Sequence, residues 1–167
     1  QEITALIAAA AICMFTSMND ITAPSVSLEG NNLWLVQVFP ISAKQVLMAK
    51  LKLHLILTLV PAAVLTAAVE WVIKPSVPFA VMIPLAAAAF IVLMAEFGLF
   101  MNLKMPNLTW TSEIVPIKQS LNVMIALFGG WAVVVGLAAA YYFLRNVLSP
   151  LAYLMAATVV IAVVDVI

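Results

Sequence analysis

Charge is what this sequence has least of. Only 8% of its 167 residues are Asp, Glu, Lys or Arg, against about 25% in an ordinary soluble domain. Seven basic and seven acidic side chains cannot cover the surface of a 17.9 kDa body. A water-soluble globule is therefore excluded, and lipid is the expected solvent for most of the chain. The net charge of zero supplies no clustered excess of Lys and Arg, which phosphate neutralisation requires, so nucleic acid is not a partner to expect. Cysteine is nearly absent as well. Cys13 stands alone in an apolar run, which excludes a disulfide framework and a CxxC metal or redox site. His54 is the one histidine and no HExxH accompanies it, so the ligand clusters of an intramembrane hydrolase are missing and no metal or other cofactor is expected. Glycine is scarce too: five in all, with no GxxxxGK[ST] phosphate loop among them.

What the chain has instead is apolar length. Hydrophobic residues make up 66% of it and the mean hydropathy is +1.22. Stretches of about 20 apolar residues cross the hydrocarbon core as helices, because lipid offers no partner to a free backbone amide. Five stretches approach that length: Ile3 to Met18, Leu53 to Ile73, Phe79 to Met101, Leu121 to Phe143 and Pro150 to Ile167. The expected fold is an all-α, polytopic transmembrane helix bundle of about five spans, forming a single domain over residues 1–167. The chain starts at Gln1 and stops inside an apolar run, so it is expected to be a piece of a longer protein.

The connectors are unequal. Residues 74–78 and 144–149 make tight turns, whereas 19–52 and 102–120 are long enough to carry structure of their own and are expected to lie together on one side. Lys44, Lys50, Lys52, Lys104 and Lys118 fall in the long connectors, and only Lys74 and Arg145 in the short ones. This imbalance assigns the long loops to the cytoplasm of a multi-pass protein in a cell membrane, a bacterial inner or plasma membrane. Trp71, Tyr141 and Tyr142 then fall at the outer interface, where amphipathic rings are favoured.

Few polar groups interrupt the spans. Glu70 precedes Lys74 by four residues, the spacing of a favourable helical pair. Glu96 has no counter-charge among its helical neighbours, and a bare carboxylate at that depth costs about 2 to 3 kcal/mol. Three placements meet that cost: a structural hydrogen bond to Thr58 or His54 of the antiparallel second span, a role on a transport pathway, or exposure at the interface. Ala5 with Ala9, Ala126 with Gly130, and Gly136 with Ala140 would permit close helix contact. Gly129-Gly130 marks either a kink or a tight crossing.

The first long connector is too polar to span and too apolar to be a free linker. It reads as a short amphipathic helix, capped by Ser25 or Ser27 and ended by Pro40, in which Leu33, Trp34 and Phe39 supply apolar bulk. Ser42-Ala43-Lys44-Gln45 is a capping box. It starts a second helix that meets no breaker before Pro61, where a kink is expected. A helix, a turn and a rigid membrane helix make a lever. The same pattern also fits an interfacial helix that only lies on headgroups.

These residues resemble a family. Ser27-Leu28-Glu29-Gly30-Asn31-Asn32-Leu33-Trp34, then Phe39-Pro40-Ile41-Ser42, then Met48-Ala49-Lys50-Leu51 is similar to the cytoplasmic coupling region of type 2 permeases of ATP-binding cassette exporters. The second connector, Asn102 to Trp110 with Glu113 and Pro116-Ile117-Lys118-Gln119-Ser120, is similar to the loop those permeases place two spans later. The two matches cover roughly a third of the chain. The resemblance implies a permease subunit that is not an ATPase, coupled to a separate nucleotide-binding ATPase subunit and paired with a second permease copy or half. In that reading residues 19–52 are the cytoplasmic coupling loop, with Glu29, Gly30, Leu33, Trp34, Phe39 and Pro40 receiving the ATPase. Ser42, Gln45 and Lys50 belong to the lever. Two other readings remain: an ion-coupled secondary transporter using Glu96, with Pro61 and Gly129-Gly130 as helix interruptions, and a structural membrane subunit.

Overall fold

The structure is a computed structural model that describes residues 2–38, 40–112, 114–118 and 120–165. Among them there are helices and no strands. In chain order these are α1 (Glu2–Thr16), a 3-10 segment (Ser27–Asn32), α2 (Leu33–Val38), α3 (Ala43–Ile73), α4 (Val77–Lys104), α5 (Ile114–Lys118), α6 (Leu121–Leu144) and α7 (Pro150–Val164). The fold is an all-α bundle.

Three stretches are long and apolar enough to cross a membrane: α3, α4 and the run Ile114–Leu144 that contains α6. The expected first and last spans come out shorter. α1 and α7 have 15 residues each, about 22 Å of helix against a hydrocarbon core of about 30 Å.

The bundle is organised around α4, which touches α1, α3, α6 and α7. Its sequence explains the central place, since apolar residues occur on every side and no polar stripe marks a solvent face. One core cluster joins Ala5, Ala9 and Ile12 of α1 to Phe79, Ile83, Ala86 and Ala87 of α4 and Leu154 of α7. A second joins Phe90 and Met94 of α4 to Val134 of α6 and Ile161 of α7.

Small residues set the closest approaches, though not at every pair. Ala5 and Ala9 are buried in the first cluster. At Gly130 an added Cβ would stand 2.8 Å from Met94 Cε and 2.9 Å from Ser17 Cβ, so this glycine marks a tight crossing inside an unbroken α6. Gly136 has nothing within 4 Å of the same position, and its spacing with Ala140 serves no contact.

α3 runs as one helix of 31 residues with Pro61 in its interior, about 46 Å from end to end. Its start is the expected capping box: the Gln45 amide donates to Ser42 Oγ at 3.3 Å and the Ser42 amide to Gln45 Oε1 at 2.9 Å. Its end departs from expectation. Lys74 adopts a left-handed conformation (φ 50°) and its amide donates to the Glu70 carbonyl, while the one ion pair within 4 Å among the described residues lies elsewhere. Lys74 thus terminates the helix through its backbone, and its side chain does not pair with Glu70.

Candidate functional site

The two long connectors meet, and Ser27 is where they lock. Asn102, at the end of α4, accepts the backbone amides of Val26 and Ser27 on Oδ1 at 2.7 and 3.0 Å. Its Nδ2 donates to Ser27 Oγ at 2.7 Å. The same hydroxyl accepts the Asn107 amide at 3.0 Å, and Trp110 Nε1 donates to the Ser27 carbonyl at 2.6 Å. Ser27 and Asn102 are both fully buried. Their polar atoms are tolerated there because each finds a partner.

Gly30 makes this closure possible. It holds φ 44° and ψ −124° inside the 3-10 segment, a backbone conformation that is costly for any residue with a Cβ. An added Cβ would also lie 2.9 Å from the Trp110 indole. The expected single amphipathic helix is accordingly replaced by a 3-10 segment interrupted at Gly30, with α2 following it from Leu33. Ser27 does not cap a helix, because its hydroxyl is committed to Asn102 and Asn107.

Lys50 links this junction to α3. Its ammonium donates to the Ser25 carbonyl at 2.7 Å and pairs with Glu29 Oε1 at 2.7 Å. Both side chains are largely shielded, 16% and 20% exposed, so the charge-assisted bonds are less screened than a surface pair. Two residues expected in different roles, Glu29 to receive a partner and Lys50 to begin the lever, therefore hold each other.

A second polar layer lies beneath. Asn19 Nδ2 donates to Thr58 Oγ1 at 2.8 Å, and the Thr22 hydroxyl faces His54 Nδ1 at 3.4 Å. His54 is buried. At Gly98 of α4 an added Cβ would stand 2.8 Å from Thr22 Oγ1 and 3.2 Å from the Ala23 amide nitrogen, so α4 and the connector touch backbone to backbone. Asn122 ties in the start of α6, its Nδ2 donating to the Met105 carbonyl at 2.6 Å. In this layer burial pushes the Asp20 carboxyl up to about 7.

Outside the lock, α2 presents apolar residues to solvent. Trp34 is 58% exposed and Val38 74%, and Pro40 is exposed beside them. Ser42 and Gln45 are also exposed, with their capping bonds intact. Phe39, Glu113 and Gln119 lie outside the described residues, and of Leu33 only the backbone is described. Glu96 is not part of the site. It faces outward from α4, and the two partners expected for it are engaged with the first connector, Thr58 with Asn19 and His54 with Thr22.

Asn102, Asn107 and Trp110 were legible only as letters of a motif. The available signal was Asn102 itself, an amide closing an otherwise apolar helix. Among the described residues no three His, Cys, Asp or Glu side chains are grouped to hold a metal ion. No family model, curated protein or solved structure matches the chain.

Proposed function

We propose that this chain is the membrane-spanning permease subunit of an ATP-binding cassette exporter, coupling ATP hydrolysis on a separate nucleotide-binding subunit to export of a substrate. In this reading the junction end faces the cytoplasm of a cell membrane, and a second permease copy or half completes the pathway. The observation that carries it is the Glu29–Lys50 pair, because it fastens the connector to a continuous helix that enters the membrane. A load applied to the exposed α2 surface passes through Gly30 and Glu29 to Lys50. From there it tilts α3, whose cap holds its first turn, while the Ser27–Asn102 lock carries the same load to α4. Movement of both helices together biases one packed arrangement of the bundle over another.

The resemblance of Ser27 to Ser42 and of Asn102 to Ser120 to the loops of such permeases supports the same assignment. The outward position of Glu96 gives no support to an ion pathway through the bundle.

The test is to express the chain with a candidate ATPase subunit and replace Trp34 and Glu29 separately by Ala. Trp34→Ala should weaken co-purification of the ATPase by about tenfold or more, as loss of an exposed aromatic anchor does. Glu29→Ala should retain the ATPase but lower transport per ATP hydrolysed. Unchanged association and unchanged transport in both variants would reject the reading.

A further inference from the structure

At the end of the bundle remote from the joined connectors, α1, α4, α6 and α7 surround a partly open cavity of about 370 Å³, within the range of about 300 to 1,000 Å³ of small-molecule sites. Its walls are apolar, among them Ala10, Phe90 and Ala157. The polar lining is Arg145, Tyr141, Tyr142 and Tyr153, together with Thr158, whose hydroxyl is spent on the Leu154 carbonyl. Arg145 has no carboxylate within 4 Å among the described residues. Its guanidinium lies 4.5 Å from the centroid of the Tyr142 ring, a cation–π contact that leaves its N–H donors free to bind an anion. Tyr153 donates to the Leu137 carbonyl and stacks on Tyr141 with centroids 5.2 Å apart, so this part of the wall is fixed.

An apolar slot that ends at one cation with no acidic partner is complementary to one kind of molecule. We propose that this cavity binds a single-chain anionic amphiphile, its acyl chain among α1, α4, α6 and α7 and its anionic head on Arg145. The apolar walls exclude a polar solute, and the lone fixed charge selects an anion over a zwitterion or a cation. The site is a property of these four helices and does not rest on the transporter reading.

The experiment uses the chain in a neutral detergent with diazirine-bearing palmitate, which is photo-crosslinked and mapped by peptide mass analysis. Adducts should fall on the cavity-lining residues of α1, α4, α6 and α7. Unlabelled palmitate and lysophosphatidate should compete, and their relative potency separates a carboxylate from a phosphate head. Hexadecanol should compete at least tenfold less well. Arg145→Gln should weaken palmitate binding about tenfold while leaving hexadecanol unchanged. Ala157→Phe should block both, and Ala10→Phe does the same from the opposite wall should the first variant fail to fold. Adducts confined to residues outside the cavity lining, equal competition by hexadecanol, or binding insensitive to Arg145→Gln and to the filled cavity would each overturn the proposal. A face covered by another protein chain instead would show as no palmitate adduct at all.

Discussion

At the junction end, Ser27, Asn102, Trp110, Glu29 and Lys50 saturate one another's hydrogen-bonding groups. At the opposite end the helices meet around a largely apolar cavity. The first end is specified by directional bonds, so each residue has one acceptable identity and the connectors have one register. The second is held by contacts that tolerate exchange of one aliphatic side chain for another of similar volume. Directional closure suits a part that must transmit displacement, and loose apolar closure suits one that must open to a ligand.

The largest expected effect comes from removing the amide that serves both connectors. Asn102→Leu leaves the Val26 and Ser27 amides without their acceptor, while the Ser27 hydroxyl keeps the Asn107 amide. At about 1 to 3 kcal/mol for each of the two unmet amides the loss is on the order of 2 to 6 kcal/mol. Thermal unfolding in detergent should show it, together with new protease cleavage in residues 19–42. Val134→Ala at the other end only enlarges an existing gap and should cost about 1 to 2 kcal/mol. Equal losses in the two variants would remove the distinction between the ends.

Gly30→Ala is next. The positive φ costs about 1 to 3 kcal/mol for a residue with a Cβ, and the Trp110 ring must move as well. Placing Gly30→Ala on a Trp110→Ala background should recover the contact part of the loss and not the backbone part. Full recovery in the double variant would mean that the φ 44° conformation is not what requires glycine.

How much of this was legible follows the same division. The apolar helices were readable from hydropathy and length, and the Ser42 capping box from four consecutive residues, because both signals are local. The first and last apolar runs were legible as the shorter ones, and α1 and α7 are 15-residue helices. The connector was misread where the decisive partner is distant in sequence. Ser27 looks like a helix cap until Asn102, 75 residues away, claims its hydroxyl. Gly30 looks like a helix residue until Trp110 lies over it. Of the three placements open to Glu96, the hydrogen bond to Thr58 or His54 is not made: Glu96 is exposed, and those two residues are engaged with Asn19 and Thr22.

A third and smaller effect is pH dependence at the junction end. Burial raises the Asp20 carboxyl from its ordinary 3.8 to about 7, so the folded chain holds a proton that the unfolded chain releases. Stability is therefore highest below about pH 4, falls as pH rises through the interval to about 7, and levels off above it. The loss is on the order of 1 to 2 kcal/mol after allowance for partial exposure. Asp20→Asn should flatten the profile and raise the melting temperature at pH 8 but not at pH 4. A profile still sloping in Asp20→Asn would assign the effect to another group.

The smallest effect separates stability from transmission, because the two ends carry the same kind of cap. Ser42 and Ser149 each accept a backbone amide at 3.3 Å, from Gln45 and Ala152 respectively. Losing either should cost about 1 kcal/mol, enough to fray a first turn without unfolding the bundle. Their consequences should differ. Ser42 begins the helix that carries Lys50, so fraying there loosens the chain connection from α2 through Pro40 into α3 and leaves that connector joined to α3 through the Glu29–Lys50 contact alone. On the proposed exporter reading, Ser42→Ala with Gln45→Ala should reduce transport per ATP hydrolysed at unchanged ATPase association, whereas Ser149→Ala should match the stability loss and leave that ratio alone. Spin labels at Lys44 and Lys52 supply the geometric control. Their separation should stay constant through the ATP cycle in the unaltered chain and spread in the cap variant. A separation that already changes by about a helical turn, 5 Å, in the unaltered chain would mean that α3 bends, and that the junction end transmits no more stiffly than the cavity end.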